Sequence, residues 1–134
     1  MKRKKITALI IEPRKHPKML KLVNDREVIR NVVCKDSSLF SDMRVTQIDE
    51  NIYAVSNRDA ELLQLKGNRK ICDKIIAGTI LILETDKNGI VVDMTNSKSQ
   101  KYLDLFWDVE TYTDEEVNIS FWNDFEETIT KGYY

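Results

Sequence analysis

The stretch Ile75 to Leu83, IIAGTILIL, carries no charge and departs from Ile, Leu and Ala only at Gly78 and Thr79. An apolar run of nine residues is too short to span a bilayer and reads as one strand buried on both faces. It runs on into Asp86, Lys87, Asn88 and Gly89, and Asn-Gly is the dipeptide that best tolerates positive φ at a tight hairpin turn. Ile90 to Met94 is then the returning strand. A length of 134 residues fits one domain able to bury a core without disulfides or metal. With 42% apolar residues, four Gly and two Pro, the chain is not disordered, collagen-like or a disulfide scaffold.

The rest of the chain supplies further elements. Lys5 to Glu12 reads as a first strand stopped by Pro13, and Arg14 to Leu22, with His16 before Pro17, as an extended arm. Asn24 or Asp25 can cap a helix to about Cys34, with Val28, Ile29, Val32 and Val33 on one face. Its β-branched residues make it weak in isolation. Leu39 and Phe40 are expected to tuck from a polar loop into the core. Met43 to Ile48 and Ile52 to Val55 flank a turn at Asp49, Glu50 and Asn51 and form a second hairpin. Ser56 to Lys70 is ambiguous: Ala60, Leu62, Leu63 and Leu65 suit a short helix that Gly67 and Asn68 would end. Thr95 or Asn96 can cap a closing helix with Tyr102, Leu103, Phe106 and Trp107 as its stripe. The expected fold is α+β, a mostly antiparallel sheet with hairpins at about 43–56 and 75–94, a short helix near 25–34 and a closing helix near 96–107. The expected division is one domain over residues 1–113 and an acidic, aromatic extension over 114–134, packed on or beside it.

Charge is unevenly spread. Residues 1–21 hold eight Lys or Arg against Glu12 alone, a balance of +7, and Asp104 to Tyr134 hold nine acids against Lys131, a balance of −8. Such ends can be solvated, can pair within the fold, or can pair head to tail between copies in a homo-oligomer. The basic start, MKRKK, is followed by an apolar segment too short for a signal peptide and by no cleavage site, which points to the cytoplasm, of a cell or of an infected host. Cys34 and Cys72 are read as reduced, structural thiols.

Several landmarks occur in one order: Glu12-Pro13 and His16-Pro17, Ser56-Asn57, a leucine-rich stretch to Asn68-Arg69, IIAGTILI, and a helix ending YLDLF. Over roughly residues 5–107 they resemble the bacterial and phage family known as domain of unknown function 3846. The chain departs from it in having Cys34 to Leu39, CKDSSL, where compared members carry Gly-Gly. The tail after Trp107 lies outside the resemblance. What it implies is a compact α+β module carried by phages and mobile elements; it supplies no catalytic residues.

Chemistry-bearing motifs are few. There is no CxxC, HExxH, P-loop or GxGxxG spacing, and the one histidine, His16, lacks a sequence-evident orienting partner. We therefore expect no enzyme, cofactor or metal. Eight of the eleven aromatic residues lie at or beyond Phe106, among the acids. If exposed, such a surface suits a basic protein partner. The first functional reading is a non-catalytic phage or mobile-element accessory protein. It binds and modulates, in the inhibitory sense, a host protein such as a defence or nucleic-acid enzyme through Asp114, Glu115, Glu116, Phe121, Trp122, Asp124, Phe125, Glu126 and Glu127. The second is a module for a nucleotide or other small anion, held by Arg69, Asn68 and the basic residues Arg14, His16 and Lys18. In that reading the alternative for Arg69 is a pair with an acid of its own fold. Nucleic acid is weakly supported, because no aromatic residue interleaves with the basic patch between residues 1 and 39. No membrane partner is expected.

Overall fold

The computed structural model describes the backbone of residues 4–35 and 42–130, with side chains as far as Asp124. Leu39 and Phe40 lie outside the described residues. The fold is α+β and its strand pairings are antiparallel. Strand β1 (Lys5–Ile11) pairs along its length with β2 (Lys18–Val23), from Lys5 opposite Val23 to Ile10 opposite Lys18. The segment read as an arm is thus mostly a strand. Arg14, at φ +64°, turns the chain between the two, and the Lys15 N–H reaches back to the Glu12 carbonyl.

The apolar run from Ile75 to Leu83 is two strands, which corrects the single-strand expectation. β5 (Gly67–Ile71) and β6 (Lys74–Ala77) form a separate hairpin, and β7 (Ile80–Thr85) is the central strand of the main sheet. Gly78 divides them at φ +78°, a conformation that costs a side chain steric energy. Hydropathy is continuous across this corner because all three strands face core. The main sheet runs β2-β1-β7-β4-β3, with β3 (Met43–Asp49) and β4 (Ile52–Asn57) forming the expected hairpin. The two-residue β8 (Val91–Val92) pairs with the end of β7. In the β7–β8 turn only Gly89 has positive φ, +82°; Asn88 instead donates its N–H to the Asp86 carboxylate, which also accepts from Ile90. This is a turn followed by a left-handed glycine rather than a two-residue Asn-Gly turn.

Alternation along β7 sends Ile80 and Ile82 to one face and Leu81 and Leu83 to the other, all buried. Helix α1 (Arg26–Val33) covers the second face with Ile29 and Val33. Asp25 is its N-cap, accepting from the Glu27 N–H at 2.7 Å. The first face is covered by Ile71 and Ile76 of the β5–β6 hairpin and by Tyr102 and Phe106 at helix α2 (Asn96–Leu105). The leucine-rich stretch after Asn57 forms turns rather than a regular helix, and Gly67 opens β5. Beyond Thr113 the chain forms helix α3 (Asp114–Thr130), seventeen residues docked on β6. Cys34 is buried as expected. Cys72, however, is exposed, because it occupies the tip of the β5–β6 hairpin with Asp73, at φ +52° and +64°.

Candidate interaction surface

Helix α3 begins with a reciprocal cap. The Glu116 carboxylate accepts from the Thr113 N–H at 2.9 Å, and the Thr113 hydroxyl accepts from the Glu116 N–H at 3.1 Å. Hydrogen bonding from Thr113 to the carboxylate, first from its N–H and then from its side chain, holds the Glu116 carboxyl below its usual pKa. Asp114, Glu115 and Glu116 together complement the positive end of the helix. The dock is close: Val117 is buried with Ala60 and Ala77, and a methyl at Gly67 would meet Tyr112 Cβ and Val117 Cγ2 at 2.9 Å each.

The segment before α3 and the helix itself also complete the β5–β6 hairpin. On one strand, the Lys70 N–H donates to Glu110 at 2.9 Å; on the other, the Ile75 N–H donates to the Ser120 hydroxyl at 3.0 Å. Both outer edges of a two-stranded sheet are thereby occupied. Tyr112 donates its phenol proton to the same Glu110 carboxylate. Burial, then that bond to an anion, pushes the phenol pKa up to about 12.

Several residues assigned to a protein-binding surface thus serve the fold. Glu116 is a cap, Asp114 pairs with Lys66, and Asp124 pairs with Lys74. Phe121 is half-buried and meets Trp122 edge to face, with ring centroids 5.2 Å apart. The side chains of Phe125, Glu126 and Glu127 lie outside the described residues. What α3 turns outward is Glu115, Asn118, Ile119 and Trp122, the last two 53% exposed. Ile119 was not singled out by sequence reasoning, although its place three residues before Trp122 puts both on one helical face. It walls a groove of about 470 Å³ between α3 and the hairpin, with Lys70, Lys74, Ser120 and Asn123.

The residues assigned to an anion site are placed differently. Asn68 and Arg69 are both fully buried. Asn68 donates to the carbonyls of Ile11 and Gly78, at 2.7 and 2.8 Å. Arg69 donates from Nε to the Phe106 carbonyl at 3.1 Å, from Nη2 to that of Lys15 at 2.8 Å, and from Nη1 to Asn68. Its hydrogen-bond partners are carbonyl oxygens of the fold rather than one of its acids. Burial lowers its pKa, with Glu110 nearby opposing the shift. Of the basic arm, Lys18 lies 4.0 Å from Glu12 and Arg14 is exposed at the turn. His16 Nδ1 lies 2.6 Å from the Trp107 carbonyl and its ring stacks on the Trp107 indole, with centroids 4.2 Å apart and planes 11° apart. The tertiary fold therefore brings an aromatic ring to a basic face that has none in its own sequence.

A third cluster joins the β3–β4 turn to α2. Asp49 accepts from Lys101 at 3.0 Å and Tyr102 at 2.9 Å. The Lys101 bond leads the effects that hold its carboxyl at about 2. Among the described residues no three His, Cys, Asp or Glu side chains are grouped to hold a metal ion, and no helix is long and apolar enough to cross a membrane. Comparison with family models, with curated proteins and with solved structures finds no match.

Proposed function

We propose that this protein is a non-catalytic interaction module that binds a basic host protein through the outer face of α3 and modulates it. The observation that carries this reading is the exposure of Ile119 and Trp122 on a helix whose Val117 is buried in the dock. Indole and branched aliphatic side chains offer apolar anchors at low entropic cost, and exposed Trp is the residue type most often decisive at protein interfaces. Glu115 at the near end gives the anchor a negative flank, favouring a partner with Lys or Arg around an apolar pocket. The phage or mobile-element setting rests on the family resemblance of residues 5–107, and the inhibitory sense of the modulation on the acidic, aromatic composition of the C-terminal segment.

The test uses full-length protein carrying Ile119→Ser and Trp122→Ser, because truncation at Thr113 would remove Val117, uncover Ala60 and Ala77, and free the Ile75 N–H. Proteins retained from host lysate by wild type and lost by the double variant, at equal thermal stability, identify the partner. In a Trp107→Phe background the emission of Trp122 is expected to shift to the blue when purified partner is added. Identical retention by both forms, or emission indifferent to the partner, would sink the proposal.

A further inference from the structure

Strand β3 ends the main sheet, and among the described residues no strand pairs with its outer side. Which of its backbone groups face outward follows from the ladder. The Arg58 N–H donates to the Asp42 carbonyl at 2.9 Å, on the same register that sets Met43 opposite Asn57. Opposed residues in an antiparallel pair alternate between bonded and unbonded, so Arg44 with Ser56 and Thr46 with Ala54 are the bonded pairs. Met43, Val45 and Gln47 therefore point their N–H and C=O groups away from the sheet. Two independent bonds agree. The Met43 N–H is taken by the Asp42 carboxylate at 2.7 Å, and the Thr85 N–H bonds to Asn51, which assigns the alternate groups of β4 to β7.

We propose that a second copy of this chain docks on this edge as an antiparallel strand, with Val45 at the two-fold axis. The outward groups are self-complementary about Val45. Each Val45 N–H meets the Val45 carbonyl of the other copy, and each Gln47 N–H meets the other copy's Met43 carbonyl, giving four bonds while Asp42 keeps Met43. Opposed side chains in such a pair share a face, so the two Val45 side chains, each 60% exposed, cover one another. That face carries an open apolar groove of about 370 Å³ lined by Met43, Val45, Tyr53, Val55 and Val91, and the seam would join the two grooves. The opposite edge of the sheet, β2, carries exposed Lys18 and Lys21, the charges that discourage strand addition. On β3 the one cation, Arg44, is folded back onto Glu61 and the Arg58 carbonyl. This isologous contact uses β3 rather than the oppositely charged chain ends and leaves α3 free, so it stands or falls apart from the function proposed above.

Light scattering across a concentration series of full-length protein is expected to reach twice the 15.7 kDa chain mass. Val45→Pro removes an outward N–H without touching the β4 ladder, as proline permits on an edge, and should return the mass to that of one chain with an unchanged circular dichroism spectrum. Val45→Lys keeps the N–H and sets like charges across the axis, so the test survives if the proline variant folds poorly. Amide exchange at Val45 and Gln47 should slow as protein concentration rises, while that at Arg44 and Thr46 stays slow throughout. A single-chain mass at every concentration, including the case in which only a foreign strand takes the edge, overturns the proposal. So does a dimer that persists in both variants.

Discussion

Replacing Arg69 by methionine preserves the length of the side chain and removes every donor that joins three separated parts of the chain. The guanidinium bonds to Lys15 and Phe106 cross 54 and 37 residues of sequence. At about 1.5–3 kcal/mol for each hydrogen bond from a charged donor, these two bonds together contribute about 3–6 kcal/mol. Methionine buries apolar surface in the same space and recovers about 1.5–3 kcal/mol at most. The net loss should be about 1.5–3 kcal/mol, a large share of the roughly 5–15 kcal/mol that holds a domain folded. Urea denaturation followed by circular dichroism reads it as a lower midpoint, by about 1 M for a slope of about 2 kcal/mol per M. Arg69→Lys keeps the charge, but its single ammonium cannot match the fork that serves both carbonyls, and it should restore less than half of the loss. If the methionine variant unfolds within about 0.5 kcal/mol of wild type, these bonds do not hold the β1–β2 turn to the end of α2.

Other perturbations test other joints. Gly67→Ala places a methyl 2.9 Å from Tyr112 and Val117 and should cost about 1–3 kcal/mol, with faster amide exchange confined first to α3; unchanged exchange there would contradict the close dock. Gly89→Ala meets nothing within 4 Å, so only its φ of +82° resists, and denaturation should show a loss of about 1–2 kcal/mol. Thr113→Ala removes half of the reciprocal cap, and its expected loss of about 0.5–2 kcal/mol should be accompanied by fraying of the first turn of α3 in exchange measurements. Asp49 is ionised to about 2 in the folded chain against 3.8 ordinarily, so its contribution is complete above 3.8 and fades as pH falls toward 2. Asp49→Asn should flatten the stability profile in that window, and superimposable acid limbs would show that the Lys101 pair contributes nothing.

How far the fold could be read from the chain depended on where each residue's partners come from. Asp25 satisfies a donor two residues away, and Tyr102, Leu103 and Phe106 of the expected α2 stripe face a single layer, so these were legible; Trp107 falls past the end of the helix, is half exposed and stacks on His16 instead. The corner at Gly78 was not, because an apolar run records burial but not the change of sheet that occurs within it. Helix α3 had a readable start in Thr113 and Glu116, whose spacing is that of a capping box; the acidic composition around it drew attention to charge instead. Arg69 lay beyond local reading, since Lys15 and Phe106 reach it only through the tertiary fold. The protein-binding assignment had the same weakness. Trp122 keeps half of its surface exposed, whereas the carboxylates of Asp114, Glu116 and Asp124 bond within the chain, and only the docked helix distinguishes these cases.

The Ser120 hydroxyl that receives the Ile75 N–H also sets a timetable for synthesis. Forty-five residues separate the two. At about 5–20 residues per second, a ribosome needs roughly 2–9 s to deliver the serine after the isoleucine has been made. For that interval the nascent hairpin carries a bare strand edge rich in isoleucine, open to any other extended chain nearby. A slow stretch of translation between the two codons would lengthen this exposure without changing a single residue of the product.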